Sequence, residues 1–294
     1  MSETPLIART RSLQPYTVRV AATHAPPLQI GADHFVVAAG PCSVEGMDML
    51  LETAHSVRAA GATLLRGGAF KPRTSPYAFQ GLGAVALEML VEARRVTGLS
   101  IVTEALDVRH VELVAGAADM IQVGARNMQN VPLLSAVADT GKPVLLKRGA
   151  SATIRELLSA AEYLAVRGNT QVVLCERGIR TFEPATRNTL DISAVPVLKR
   201  ETDLPVFVDP SHASGDARYV RALARAALAA GADGLLIEVH PSPADALSDG
   251  EQSLTLDEFA LTMRELSAIA SVMGRSLRVG SMIMPIADAR RGVA

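Results

Sequence analysis

A basic, glycine-containing stretch at residues 64–80, LLRGGAFKPRTSPYAFQ, has the residue types that bind anions. An apolar run leads into a loop with two adjacent glycines, and the polar side chains of the loop can donate hydrogen bonds: Arg66, Lys71, Arg73, Thr74 and Ser75. Cations placed just past a strand, beside glycines, allow main chain and side chains to close together on an anionic group. The pattern therefore predicts phosphate binding. Taken alone, three cations in eight residues would more simply form a solvated basic loop.

Short apolar runs of the same kind recur along the chain, and each ends in a polar or glycine-containing loop. There are eight, starting at residues 34, 63, 100, 120, 144, 171, 205 and 234. The segments between them are rich in alanine and leucine, with apolar residues spaced by three and four, which is typical of amphipathic helices. Buried strands alternating with single helices over about 240 residues predict an α/β protein, a closed (β/α)₈ TIM barrel.

The predicted barrel occupies residues 34–273, and a final helix at 254–273 completes the repeat. No GxGxxG motif follows the first predicted strand, which argues against an open, doubly wound dinucleotide-binding sheet. Residues 1–33 contain four prolines and little periodicity, so we expect an N-terminal extension with one short strand around Tyr16 to Ala22. Residues 274–294 are expected to form a C-terminal tail.

The composition fits this class and limits the partners. Of 294 residues, 49% are hydrophobic and only 3% aromatic, which suits an aliphatic α/β core better than an all-β sandwich. The formal net charge is -1, so we expect neither nucleic acid nor an anionic membrane as a partner. We find no run of about 18 apolar residues and no signal peptide in the sequence, and therefore expect a cytoplasmic protein.

Polar residues follow the predicted strands one after another. In a TIM barrel the loops after the strands converge on one mouth, where active sites lie. In chain order these positions carry Cys42, Arg66 with Lys71, Glu104, Arg126, Lys147, Arg177, Asp209 with His212, and Glu238 with His240. Buried cations are costly unless paired, so a cluster of Arg66, Arg126, Lys147 and Arg177 predicts an anionic ligand. For any single one of these residues, a neighbouring carboxylate is the simpler partner.

Four of the polar residues could hold a metal ion. Cys42, His212, Glu238 and Asp249 combine a thiolate, an imidazole and two carboxylates, a set that suits a first-row divalent ion. Taken singly, Cys42 would be a small buried hydrophobe, His212 a loop histidine and Asp249 a turn residue before glycine. Their expected convergence on one rim favours the metal. Cys175 lies inside a predicted strand and is expected to be an inert core residue.

Eight motifs resemble those of a known enzyme family. They are AGPCSVE (39–45), RGGAFKPRTSPY (66–77), QVGARNMQN (122–130), LLKRG (145–149), CERGIRTFE (175–183), DPSHASG (209–215), IEVHP (237–241) and SDGEQSL (248–254). Together they are similar to type I 3-deoxy-D-arabino-heptulosonate 7-phosphate (DAHP) synthase of the beta subgroup, the first enzyme of the shikimate pathway. The resemblance covers roughly residues 34–273.

The resemblance implies that phosphoenolpyruvate condenses with erythrose 4-phosphate, in a homotetramer that depends on a divalent metal ion of the Mn, Fe, Co or Zn class. By motif position it implies the metal ligands Cys42, His212, Glu238 and Asp249. It implies phosphoenolpyruvate contacts from Arg66, Lys71, Arg126, Lys147 and Arg177, and aldose phosphate contacts from Arg73, Thr74 and Ser75, with Asp209 also in the substrate site. Lys71 is then a proton donor to the aldehyde oxygen, and Glu104 orients the water that adds at C2.

Two other functions are compatible with parts of this pattern. 3-Deoxy-D-manno-octulosonate 8-phosphate synthase shares the barrel and the phosphoenolpyruvate site but takes arabinose 5-phosphate, and its loop resembles KANRSS where this chain has KPRTSP. A non-catalytic barrel that only binds a phosphorylated ligand would keep the cations, but a full set of metal ligands argues against it.

Members of this family often carry an added ferredoxin-like or chorismate mutase domain for feedback control, and residues 1–33 are too short for either. We therefore expect that saturating phenylalanine or tyrosine leaves the rate of the reaction unchanged. Initial rates measured with and without each amino acid check this, and a clear drop with either one would contradict it.

Overall fold

The computed structural model describes residues 4–8, 16–21, 27–71 and 75–277 of the chain. Two short strands, β1 (Thr17–Val20) and β2 (Leu28–Gly31), pair antiparallel and precede the barrel. The sequence predicted the first of them but not the second. Because β2 also pairs with the next strand at Gly31 and His34, this hairpin lies at the amino-terminal end of the barrel.

Eight parallel strands form a closed ring, which confirms the predicted TIM barrel. They are β3 (His34–Gly40), β4 (Leu64–Arg66), β5 (Ser100–Glu104), β6 (Met120–Val123), β7 (Val144–Lys147), β8 (Val172–Glu176), β9 (Val206–Val208) and β10 (Gly234–Glu238). Each pairs with its neighbour along the chain, and β3 pairs with both β4 and β10. These strands are apolar almost throughout because helices cover the outer face while side chains fill the interior.

Helices follow the strands around the ring. They are α1 (Met47–Ala60), α2 (Ala84–Thr97), α3 (Val111–Ala117), α4 (Val131–Asp139), α5 (Ile154–Val166), α6 (Ala194–Glu201), α7 (Pro210–Ser214), α8 (Ala217–Ala229) and α9 (Leu256–Val272). Short 3₁₀ turns lie at Val108–His110, Ala125–Asn127, Pro243–Asp245 and Gly250–Gln252. A capping box of Thr153 and Glu156 begins α5, and one of Thr255 and Glu258 begins α9, so local hydrogen bonding defines where these helices start.

The core has two layers. One apolar cluster contains alternate strand residues that face the barrel interior, such as Ala38, Leu145 and Phe207, together with Val18 and Ile30 of the amino-terminal hairpin. The hairpin therefore closes the lower end of the barrel interior. The second, larger cluster lies between the outer strand face and the helices. The upper, carboxyl-terminal end is left for polar residues.

After α9 the chain returns to the amino-terminal end of the barrel, where β11 (Ser276–Leu277) pairs parallel with β3. Arg275 helps to hold this return, since it donates a hydrogen bond of 2.9 Å to the buried carboxylate of Asp233. The rest of the predicted tail, residues 278–294, lies outside the described residues. Among the described residues, no helix has both the length and the apolar composition to cross a bilayer.

Phe207 allows a direct test of the interior layer. Its side chain is fully buried inside the barrel, so Phe207→Ala leaves a cavity and should lower the free energy of unfolding by about 3–5 kcal/mol. Urea unfolding followed by circular dichroism measures the change. Phe182→Ala is the matched control, because Phe182 is 98% exposed and its removal should change stability by less than about 0.5 kcal/mol. Equal effects of the two substitutions would contradict the assignment.

Candidate active site

A cavity of about 790 Å³ opens at the carboxyl-terminal mouth of the barrel. Among the described residues, the end of β7 and the loops that follow β4, β6 and β8 bring six cationic side chains to its lining: Lys71, Arg126, Lys147, Arg177, Arg180 and Arg187. The carboxylates on the same lining belong to Glu104, Glu156 and Asp249. The excess of cations makes the cavity suitable for an anion with more than one charge.

Three of the four predicted metal ligands form one cluster at the edge of this cavity. Potential ligand atoms of Cys42, Glu238 and Asp249 all lie within 4.8 Å of one another. The thiol of Cys42 donates a hydrogen bond of 3.1 Å to Oδ2 of Asp249. The fourth predicted ligand, His212, adjoins the cluster, with its Nε2 atom 3.4 Å from Oε1 of Glu238. Residues at the carboxyl-terminal ends of β3, β9 and β10 thus meet at one point.

Burial controls the state of the thiol. Burial of Cys42, reinforced by the nearby charge of Glu238, raises the pKa of the thiol to about 12. The ammonium group of Lys71 opposes this rise, because its Nζ atom donates to Sγ of Cys42 at 2.9 Å. Without a further cation the side chain is therefore a thiol near neutral pH. A bound divalent ion would reverse this preference, since metal ligation requires the thiolate.

Asp249 lies in a strained backbone conformation beside the cluster. Its φ angle is 50°, in the left-handed region that residues other than glycine rarely adopt. The two residues before Asp249 are held by the loop that follows β3. Ser248 hydrogen-bonds Ser43 at 2.5 Å, and the backbone N–H of Leu247 donates to Glu45 at 3.0 Å. These contacts connect the loop of Asp249 to the loop of Cys42, which keeps the carboxylate beside the thiol.

Glu238 ends β10 fully buried, and both of its carboxylate oxygens have partners. Oε1 accepts a hydrogen bond of 2.8 Å from Arg66, and Oε2 accepts one of 2.6 Å from Gln252. Burial would raise the pKa of Glu238, but the charges of His212 and Arg66 exceed that effect and lower it. Arg66 also donates to the carbonyl of Pro41 at 2.6 Å and is not part of the cavity lining. Its predicted contact with substrate stays a prediction.

Asp209, Lys147 and His212 form a second charged group. Asp209 caps α7, where its Oδ1 atom accepts a hydrogen bond from the backbone N–H of His212 at 2.9 Å. Its Oδ2 atom accepts a bond of 2.6 Å from Nζ of Lys147 and lies 2.7 Å from Nδ1 of His212. Burial opposes the charged form, but His212 and Lys147 hold the pKa of Asp209 well below its usual value. Asp209 is fully buried and contacts both side chains, and its predicted contact with substrate stays a prediction.

Arg177 differs from the paired cations. Its guanidinium group donates to the carbonyl of His212 at 3.2 Å, and among the described residues no carboxylate lies within salt-bridge distance of it. Burial accordingly lowers the pKa of Arg177. Arg126 lies in the 3₁₀ turn after β6 and also lines the cavity. An anion bound in the cavity would supply a negatively charged partner for Arg177.

Glu104, which the sequence predicted to orient the water that adds at C2, is the last residue of β5. Its Oε2 atom accepts a hydrogen bond of 2.8 Å from Gln122, and the side chain lines the cavity. A Cβ atom at Gly124 would lie 2.0 Å from Oε1 of Glu104, so a larger residue at this position would displace the carboxylate. Ser75 also lines the cavity. Arg73 and Thr74, the other predicted contacts of the aldose phosphate, lie outside the described residues.

The structure also brings residues to the site that sequence reasoning did not select. Arg180 and Arg187 line the cavity, and Gln122, Gly124 and Gln252 support the carboxylates. A signal was present for the arginines, since the loop after β8 contains three of them within 11 residues, at positions 177, 180 and 187. Nothing in the sequence singled out the two glutamines, because their importance depends on which carboxylate lies beside them.

The fold and the cavity define a (β/α)₈ barrel protein with a cation-lined mouth beside a cluster of side chains that could hold a metal ion. Comparison with family models then shows that the chain belongs to the DAHP synthetase I family, whose model matches residues 16–271. This confirms the family predicted from the motifs.

Similar proteins agree with this membership. The chain is 56% identical over 247 residues to phospho-2-dehydro-3-deoxyheptonate aldolase of Thermotoga maritima, covering 84% of this chain and 73% of that protein. It is 35% identical to 2-dehydro-3-deoxyphosphooctonate aldolase of Nitratidesulfovibrio vulgaris strain DP4, over 83% of this chain and 94% of that protein. A solved structure of a truncated DAHP synthase from Thermotoga maritima is similar with a TM-score of 0.85 at 47% identity, covering 94% of this chain and 99% of the other.

The burial of the two cysteines leads to a prediction about their reactivity. With a pKa of about 12, on the order of one Cys42 side chain in ten thousand is a thiolate at pH 8. Cys175 is also fully buried, so the folded, metal-free protein should react with a colorimetric thiol reagent far more slowly than a free thiol does. In urea both cysteines should react completely. Rapid titration of one thiol in the folded protein would contradict the environment described for Cys42.

Proposed function

We propose that this protein condenses phosphoenolpyruvate with erythrose 4-phosphate and water, giving 3-deoxy-D-arabino-heptulosonate 7-phosphate and inorganic phosphate, the first step of the shikimate pathway. Family membership and 56% identity to the Thermotoga maritima enzyme support this reaction. The observation that carries it is the position of the cation-lined cavity directly beside Cys42, Glu238 and Asp249. An anionic substrate and a metal ion can therefore lie next to each other.

The cations of the cavity would hold phosphoenolpyruvate, which has a phosphate and a carboxylate. Lys147 ends β7, Arg177 directly follows β8, and Arg126 lies in the 3₁₀ turn after β6, so all three reach the same cavity. Several cations are required to remove such an anion from water and to orient its nucleophilic C3 atom. Arg66 would hold the carboxylate of Glu238 in place through their salt bridge. If that salt bridge rearranges, Arg66 would contact the substrate itself.

The donor set fits a divalent ion. Cys42, Glu238 and Asp249 offer sulfur and oxygen atoms within 4.8 Å of one another, and His212 adds a nitrogen beside them. A first-row ion of the Mn, Fe, Co or Zn class held there would act as a Lewis acid on the aldehyde oxygen of the second substrate. Lys71 would assist the loss of the Cys42 proton, since its ammonium group favours the thiolate.

Two residues of the cavity have suitable positions for proton transfer. Lys71, at the edge of the metal cluster, would donate a proton to the aldehyde oxygen of erythrose 4-phosphate as C3 attacks the carbonyl carbon. C2 then gains oxocarbenium character and adds water, which loses a proton, and the resulting hemiketal phosphate releases inorganic phosphate to leave the C2 keto group. Glu104 would orient that water, because its carboxylate lines the cavity and is held by Gln122. Ser75, together with Arg73 and Thr74, would bind the phosphate of the aldose.

A second candidate function is the condensation of phosphoenolpyruvate with arabinose 5-phosphate. The 35% identity to 2-dehydro-3-deoxyphosphooctonate aldolase of Nitratidesulfovibrio vulgaris supports this second candidate. The loop KPRTSP and the higher identity to the heptonate enzyme favour erythrose 4-phosphate. A barrel that only binds phosphorylated ligands would release no phosphate with either aldose. The predicted homotetramer and the predicted cytoplasmic location are parts of the same proposal.

Metal-dependent release of phosphate tests the proposal and its ligand set together. Wild-type protein should release phosphate with erythrose 4-phosphate but little with arabinose 5-phosphate, and a strong chelator should abolish release until a divalent ion is restored. Cys42→Ala should lose at least about 100-fold in rate, because the thiolate ligand is removed.

Cys175→Ala is the matched control, since Cys175 is the other buried cysteine but lies inside strand β8. It should retain most of the wild-type rate, and circular dichroism should show both variants folded. Full activity of Cys42→Ala would reject Cys42 as a ligand. Preferred turnover of arabinose 5-phosphate would reject the proposed substrate in favour of the second candidate.

A further inference from the structure

We propose that Arg187 is a positioning residue of the candidate metal centre, and that it acts through Gln252 to hold the carboxylate of Glu238 in one orientation. Arg187 donates a hydrogen bond of 2.8 Å to Oε1 of Gln252. Gln252 in turn donates one of 2.6 Å from Nε2 to Oε2 of Glu238. This inference rests on the metal centre of the proposed function and extends it to two residues that supply no ligand atom.

Gln252 is held at both ends of its amide, by Arg187 on one side and by Glu238 on the other. The side chain is buried, with only 2% of the residue exposed, so each end of the amide requires a partner within the protein. A guanidinium group only donates hydrogen bonds, and a carboxylate only accepts them. With Arg187 on one side and Glu238 on the other, Oε1 must face the arginine and Nε2 must face the carboxylate. Without the arginine, the buried Oε1 atom would lose its donor, and the amide would be held only at its Nε2 end.

The backbone holds Arg187 where it can do this. The N–H group of Arg187 donates to the carbonyl of Ser214 at 2.9 Å, and Asn188 donates to the carbonyl of Ala213 at 2.8 Å. These bonds attach the loop after β8 to α7, the helix that contains His212. Gly215 adjoins the aliphatic part of Arg187, and a Cβ atom there would lie 2.6 Å from Cβ of the arginine. The arginine therefore occupies space that glycine leaves open.

A second path from Arg187 to the cluster is also present. Its guanidinium group lies 3.6 Å from Oδ1 of Asp249, whereas the contact with Gln252 is 2.8 Å and has hydrogen-bond geometry. The longer contact is an ion pair across a partly solvated gap, since 44% of the Arg187 side chain is exposed. Exposed pairs of this kind contribute little, whereas a hydrogen bond to a buried amide determines its orientation. We therefore assign the main effect to the path through Gln252.

Groups that orient metal ligands typically change metal affinity by about 10–100-fold when they are removed. Arg187→Ala should therefore weaken binding of a divalent ion by about that factor while leaving all four predicted ligands in place. Gln252→Leu should weaken binding at least as much. Because the two residues act in series, the double variant should bind no more weakly than Gln252→Leu alone. Arg187→Lys keeps a donor and should recover part of the affinity.

The experiment titrates Co²⁺ alone into each metal-free, full-length protein and follows the thiolate-to-cobalt absorption band, with no substrate present. Arg180→Ala is the matched control, because Arg180 belongs to the same loop and lines the same cavity, whereas the hydrogen bond to Oε1 of Gln252 comes from Arg187. Its dissociation constant for Co²⁺ should stay within about twofold of the wild-type value. Circular dichroism of the metal-free variants checks folding, and the exposed Arg187→Ala decides the matter alone if Gln252→Leu does not fold.

The possible results separate the inference from the function beneath it. If wild-type protein shows no cobalt band, the metal centre itself is rejected. If wild type binds Co²⁺ and Arg187→Ala binds it equally well, the positioning role is rejected and the metal centre stands. If the losses of Arg187→Ala and Gln252→Leu add in the double variant, Arg187 acts through Asp249 and the route through Gln252 is rejected. Loss in both single variants without additivity supports the proposal.

Discussion

Closure of the parallel strand ring is the constraint on which the site depends. The first barrel strand pairs with the last one in a register that sets Gly40 opposite Glu238. Cys42 follows Gly40 by two residues, so the closing pair of strands brings a thiol and a carboxylate together across nearly 200 residues of chain. An open sheet would leave these two groups at opposite edges. Asp249 then reaches the same point from the loop that follows β10.

The backbone at the end of β3 approaches the backbone at the end of β4 so closely that it requires a residue without a side chain, Gly40. The φ angle of Gly40 is 153°, and a Cβ atom there would lie 2.1 Å from the carbonyl oxygen of Arg66. Gly124 has the same role on the other side of the mouth, where it leaves room for the carboxylate of Glu104. Both glycines therefore determine the position of charged groups that belong to other strands.

Compensation of buried charge explains how so many ionisable groups coexist at the mouth. Glu238 pairs with Arg66, and Asp209 pairs with Lys147, with all four side chains almost fully buried. Removing one partner of such a buried pair lowers the free energy of unfolding by about 3–5 kcal/mol. The pairs therefore hold their strand ends in fixed positions. Arg177 has no carboxylate partner among the described residues, which leaves its charge for a ligand. The site thus combines balanced pairs that give rigidity with a cation available for binding.

The sequence alone determined the class of fold, the eight strands, the helical character of the segments between them and the order in which polar residues follow the strands. These features are local, because apolar periodicity, capping residues and glycine turns act over a few residues. The family was also recognisable, since its motifs lie at those strand ends. Even the arginine-rich loop after β8 could have been found by counting cations.

Only the tertiary structure decided which groups are partners. The pairing of Arg66 with Glu238, which lies 172 positions away, could not be read from the sequence. The sequence predicted one strand before the barrel, whereas two form the hairpin that closes the interior. The link from Arg187 through Gln252 to Glu238 is likewise visible only in the structure. Partner choice depends on distances set by packing of the whole ring, and no local pattern of residues encodes those distances.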